Sequence, residues 1–103
     1  MQKGEYEKAL TLLRKATEYE PQRGLPYLNL GLALIKAGKH EEAIENLQKA
    51  LELHFDFPEV HHYLAEEYKL VGRLGESEIE MAIYARMKEE QAKRKVALAE
   101  PHR

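Results

Sequence analysis

Cysteine is absent from this chain, which excludes disulfides, thiol nucleophiles and cysteine-ligated zinc and leaves a cytoplasmic location as the default. Hydroxyl side chains other than tyrosine are confined to Thr11, Thr17 and Ser77. All three fall within helical patterning, so no nucleophile–base constellation can be assembled and no catalytic residue is expected. The glycines Gly4, Gly24, Gly31, Gly38, Gly72 and Gly75 are dispersed, whereas a phosphate-cradling loop needs them together. No sign of charge dominates: 16 Lys and Arg stand against 18 Asp and Glu, for a net charge of -2. Such a chain has no general field to draw in nucleic acid or an anionic membrane, and neither is expected as a partner. Long hydrophobic runs are missing too. The longest, LPYLNLGLALI, is too short and too interrupted by Asn29 to span a bilayer, and the N-terminus lacks the basic-then-apolar layout of a signal peptide.

What is present is a helix-forming composition. Of the 103 residues, 44% are hydrophobic and 33% charged, with Ala, Glu, Lys and Leu dominant. A single domain of this size buries only roughly 65% of the surface of its unfolded chain, so its core must be thin. The sequence also repeats itself. Gly4, Gly38 and Gly72 are 34 residues apart, as are Ala9, Ala43 and Ser77, and Leu13, Leu47 and Met81. Tyr27 and His61, Leu30 and Leu64, Gly31 and Ala65, and Leu34 and Tyr68 keep the same register. Within one period Tyr27, Leu30, Gly31 and Leu34 follow helical spacing, Gly38 breaks it, and Ala43, Ile44, Leu47, Ala50 and Leu51 resume it. Each period is therefore expected to be two antiparallel helices, with Gly31, Ala43 and Ala50 letting the backbones approach closely. Helices are expected at about 5–20, 25–37, 40–54, 58–71 and 75–97. Asp56 and Glu59 have capping-box spacing beside Pro58, and Glu45–Lys49, Glu89–Lys93 and Glu90–Arg94 are ordered for favourable pairs one turn apart. Pro101 precludes further helix.

The stretch YLNLGLALIKAGKHEEAIENLQKALEL resembles the tetratricopeptide repeat family through Tyr27, Leu30, Gly31, Ala43, Leu47 and Ala50. KGEYEKALTLLRKATEYEP is similar to the second helix of such a unit alone, ending on the family's proline at Pro21. In the third copy Ala65 stands for the glycine, Ser77 and Tyr84 for alanines, and no closing proline follows. Phe55 replaces that proline in the middle copy. The resemblance covers about residues 3 to 90 and implies an all-α fold, an α-α superhelix (α-solenoid) of about two and a half 34-residue helix-turn-helix repeats with an extended C-terminal helix. The single domain, 1–103, is expected to divide into the second helix of a partial repeat (1–23), a full repeat (24–57), a divergent repeat (58–91), and a C-terminal helix extension and tail (92–103).

The resemblance implies that first helices line a concave groove that holds a peptide or helix of a partner protein. By register that surface comprises Leu25, Leu28, Leu32, Ile35 and Lys36 of the middle unit and Glu59, His62, Glu66, Lys69 and Leu70 of the third. Leu28, Leu32 and Ile35, with Tyr27, Leu30 and Leu34, make the second helix apolar all round. Either neighbouring helices cover them, or they form an exposed strip that binds a partner. The branch of the family that grips a terminal carboxylate uses lysine, asparagine and arginine. Only Asn29 matches here, since Leu28 and Leu32 stand at expected lysine and asparagine positions and Glu59 and Tyr63 at basic ones. Carboxylate capture is therefore not expected. His62 and Glu66, one turn apart, could face one ion, but His61 points about 100° away and no third ligand is placed, so no metal or other cofactor is expected. The basic run Lys93, Arg94 and Lys95 reads as a solvated helix face. The pentatricopeptide proteins, which read RNA, have a period one residue longer and are generally basic.

The resulting expectation is a non-catalytic protein–protein interaction module, the C-terminal end of a longer scaffold, that binds through its groove. The alternative is self-association into a homodimer through the apolar groove and the uncovered first helix. Ala9, Leu13 and Ala16 form the expected missing-helix face, because Gly4 reads as the bend of a unit whose first helix is absent.

Overall fold

The computed structural model describes residues 3–99. Within them the chain forms α1 (Lys3–Tyr19), α2 (Gly24–Lys36), α3 (His40–Glu52), α4 (Pro58–Leu70) and α5 (Leu74–Ala99). Successive helices pack on one another, α2 with α3 and α4 with α5 forming the tightest pairs. The result is an open succession of packed helices rather than a closed bundle, measuring 58 × 32 × 26 Å. All five expected helices form, with ends shifted by a residue or two. Pro101, the expected helix stop, lies outside the described residues.

The turns repeat as faithfully as the helices. After α2, Gly38 adopts φ 78° and its N–H donates to the Ile35 carbonyl, while that of Lys39 donates to Leu34. After α4, Gly72 adopts φ 83°, with the same bonds from Gly72 to Lys69 and from Arg73 to Tyr68. These are left-handed helix caps, which satisfy the last carbonyls and turn the chain back. Gly4 shares their register but not their role. It lies inside the first turn of α1 without a left-handed φ, so the expected bend there is replaced by helix.

The core forms at two contacts, one of α1 on the α2–α3 hairpin and one between that hairpin and α4. Leu10, Leu30, Leu34 and Ala43 join α1, α2 and α3, and Ile44, Leu47, Val60, Leu64 and Tyr68 join α3 and α4. Gly31 sits against Leu47 so closely that a Cβ on it would meet the Leu47 Cδ2 at 3.0 Å. Gly24 is tighter still, since its Cβ would lie 2.5 Å from that of Phe55. In the third unit Ser77 takes the place of the packing alanine, and its hydroxyl donates to the Ala65 carbonyl at 2.7 Å, turning a bland contact into an interhelix hydrogen bond. Leu10 and Ile44 are buried, whereas Glu78, one period on, is exposed.

Two sequence expectations differ in detail. α4 begins at Pro58 as anticipated, but its N-cap is Phe57 and no side chain caps it; Asp56 is one residue too early and bonds His61 instead. Glu89 and Lys93 pair at 3.3 Å, while Lys49 turns to Glu52 rather than Glu45. Between α1 and α3, Arg14 and Glu42 form a two-pronged ion pair that lowers the Glu42 pKa.

The α3 cap departs from the glycine rule. His54 holds φ 66°, and the N–H groups of His54 and Phe55 bond the carbonyls of Leu51 and Ala50. A side chain in this conformation is strained by roughly 1 to 2 kcal/mol. His54→Gly is expected to stabilise the fold by about 1 kcal/mol and raise the thermal midpoint by several degrees. A midpoint at or below that of the wild type, followed by circular dichroism, would refute this account of the turn.

Candidate protein-binding surface

α2 and α4 are the first helices of their hairpins, and the expected groove residues separate into three environments on them. Leu28 and Ile35 are half-buried and pack on the cluster around Leu47 and Leu64; neighbouring helices supply much of their cover. His62, in the Leu28 register, is likewise half-buried, with its ring 4.9 Å from that of Tyr84 and its Nδ1 3.0 Å from a Glu66 oxygen. Leu25, Lys36, Glu59, Glu66, Lys69 and Leu70 are exposed. Glu66, Lys69 and Leu70 border a shallow hollow of about 540 Å³.

Leu32 occupies the third environment. With Asn29, Ala33 and Lys36 of α2 it forms one wall of an apolar groove of about 290 Å³, and Tyr6, Ala9 and Leu13 of α1 form the other. Two surfaces that the sequence suggested separately, the α2 strip and the α1 face, thus meet in one place. Ala16, also half-exposed, continues the α1 face beyond the groove lining. Tyr6 and Ala33 were not singled out in the sequence, and Asn29 only as a match to a carboxylate-gripping asparagine, although Asn29, Leu32, Ala33 and Lys36 have the spacing of one helical stripe.

The second hairpin, α4–α5, is held by charge as well as by packing. Imidazole His61 is buried between α4, α5 and the preceding turn, its Nδ1 2.5 Å from Glu80 and its Nε2 2.6 Å from Asp56. A neutral ring can donate from only one nitrogen, so two carboxylate partners call for the doubly protonated form. Burial alone pulls its pKa down, but hydrogen bonds to Glu80 and Asp56 prevail and raise it above the ordinary value. His40 makes a comparable bridge from α3 to the buried carboxylate of Glu67 on α4, at 2.6 Å. Neither network was legible from the sequence, because each joins residues 19 or 27 positions apart. Among the described residues no group of three or more potential metal ligands comes together, and no helix is long and apolar enough to cross a membrane.

A family model described as tetratricopeptide repeat matches residues 1–75. The chain belongs to the tetratricopeptide repeat family. Its helical solenoid is shared with solved structures. MamA AMB-1 P212121 superposes with a TM-score of 0.77 at 30% identity, covering 95% of this chain and 53% of that one. MamA MSR-1 C2 gives 0.76 at 29% identity, with coverage of 84% and 50%. This tetratricopeptide chain therefore spans about half the length of the MamA chains it matches. The second TPR of Spaghetti (RPAP3) bound to HSP90 peptide SRMEEVD shares the fold, with a TM-score of 0.75 at 20% identity over 82% of this chain and 78% of that one. No curated protein sequence matches.

The His61 geometry fixes a pH dependence. A raised native pKa contributes stability that is complete below about pH 6.5, the ordinary histidine value, and is lost as pH rises through the native value. The urea midpoint is expected to fall between about pH 6 and pH 9 in the wild type, and to fall less in His61→Gln. Equal slopes for the two proteins would remove His61 as the source.

Proposed function

We propose that this tetratricopeptide protein is a non-catalytic interaction module that takes a peptide or helix of a partner protein along its first helices, α2 and α4, and the groove that α1 forms beside α2. The apolar groove carries the reading. Leu32, Ala9 and Leu13 are only half-covered, and burying a leucine there would contribute roughly 1.5 to 3 kcal/mol. Charged residues at its edges, Lys36 nearby and Glu66 with Lys69 further along, supply orientation more than affinity. Protein-binding members of the fold, including the Spaghetti domain whose structure holds an HSP90 peptide, are in keeping with such a role. Leu32→Glu combined with Leu70→Glu is expected to abolish capture of partner proteins from extract of the native cell while preserving helical circular dichroism. Leu28 is left intact because it also supports the core. Undiminished capture by the double variant would overturn the groove assignment.

Self-association is a second reading, favoured by apolar side chains uncovered at both ends of the array. Leu13 is half-exposed on α1, and Leu74 and Met81 are 58% and 44% exposed on α5. One end of one copy could cover the opposite end of another. Sedimentation across a dilution series is expected to show a concentration-dependent dimer that Met81→Glu shifts to monomer. A strict monomer at tens of micromolar would end this reading.

A further inference from the structure

The groove between α1 and α2 has a counterpart that is already filled within the same molecule. Moved by one 34-residue period, Ala9, Leu13 and Ala16 of α1 become Ala43, Leu47 and Ala50 of α3. On the α2 wall, Leu32 and Lys36 become Glu66 and Leu70 of α4. What covers the second seat is α2. It lays Gly31 against Leu47 and reaches the α3–α4 cluster through Leu28 and Ile35. Beneath it Ala43, Leu47 and Ala50 have no exposure at all, whereas their counterparts on α1 remain half-exposed. The molecule thus displays the kind of element that fits its own open seat. That element is a helix and not an extended strand, because two antiparallel helices offer a trough shaped by their side-chain ridges.

We propose that the α1–α2 groove binds an amphipathic α-helix of a partner protein, lying parallel to α2, with a glycine or alanine crossing over Leu13. By the pattern of α2, the small residue follows one leucine directly and precedes another by three residues, as Gly31 does with Leu30 and Leu34. Apolar residues three before and four after it, the counterparts of Leu28 and Ile35, face α2. The seats differ in one respect that gives the partner its charge. Where α4 offers Leu70, α2 offers the exposed Lys36. Lys36 is the last residue of α2, so a parallel partner brings its own C-terminal turn there. The negative end of its helix dipole, together with an acidic side chain in that turn, meets the lysine. This inference rests on the reading of the concave side as a protein-binding surface and names the partner class for it.

The test is fluorescence anisotropy of the intact protein with a labelled synthetic peptide copying residues 21–37, in which the counterpart of Lys36 is replaced by glutamate. Saturable binding is expected. It should weaken at least ~10-fold when valine replaces the peptide's central glycine, or when the protein carries Leu32→Glu. Lys36→Glu, at an exposed site that leaves packing intact, should weaken binding by roughly 2- to 5-fold, and a peptide retaining lysine should regain the loss. Absence of saturable binding would overturn the proposal. So would binding indifferent to Leu32→Glu, because a peptide that displaced the protein's own α2 would not touch that residue. If the peptide fails to bind while cellular capture remains sensitive to the Leu32 and Leu70 pair, the groove reading stands and only the helical partner is lost.

Discussion

Close approach of α2 and α3 at Gly31 is the constraint on which the remaining structure depends. With no Cβ in the way, Leu47 fills the space over the glycine, and Ala43 and Ala50 keep the crossing shallow on either side. The hairpin so formed turns Leu30 and Leu34 toward α1 and turns Ile44 and Leu47 toward α4. One tight contact therefore sets the placement of both neighbours. In a thin solenoid, where each unit touches only the next, no distant contact can compensate if it is lost.

The α4–α5 hairpin reaches the same geometry by different chemistry. Ala65 and Ser77 replace the smallest residues, and a hydrogen bond from Ser77 to the Ala65 carbonyl holds the crossing. Tyr68 is buried where Leu34 lies in the preceding unit, with the Gln48 amide bonding its hydroxyl and the Arg73 guanidinium 4.7 Å from its ring centre. His61, where α2 has Tyr27, is held by carboxylates from both sides. Apolar surface has given way to paired polar groups, which favour one arrangement because any slip would leave a buried charge unpaired. The outer face of α5 is different again. An exposed Glu78 stands where earlier units bury Leu10 and Ile44, so a further helix laid on that face would have to desolvate a carboxylate.

Much of this was legible in the sequence because periodicity is a local signal. The 34-residue register of Gly38 and Gly72 placed two turns, and the apolar spacing of Leu30, Leu34, Ala43, Leu47 and Ala50 placed the helix faces between them. Register failed where a position's role depends on what surrounds it. Gly4 has the spacing of a turn glycine but lies within a helix. His54 takes the left-handed cap without being glycine, since three helix-end hydrogen bonds and the packed Phe55 beside it hold the backbone there. Leu28 and Leu32 share one apolar stretch, yet Leu28 faces the α3–α4 cluster and Leu32 faces the groove. At roughly 100° per residue, four positions bring the two near one another on the helix, and only the neighbours decide which is covered.

The sequence by itself determined the helix count, the antiparallel hairpins and the small residues at their crossing, because these depend on spacing along a few turns of chain. It also determined that charge of one sign, thiol chemistry and a clustered glycine loop play no part. Tertiary structure decided which apolar residues remain uncovered and which charges meet. The groove needs Leu13 and Leu32 from two helices, and the imidazolium bridge needs Asp56, His61 and Glu80 from a turn and two more. Such meetings are properties of the packing angle between helices, and no pattern within a single helix encodes that angle.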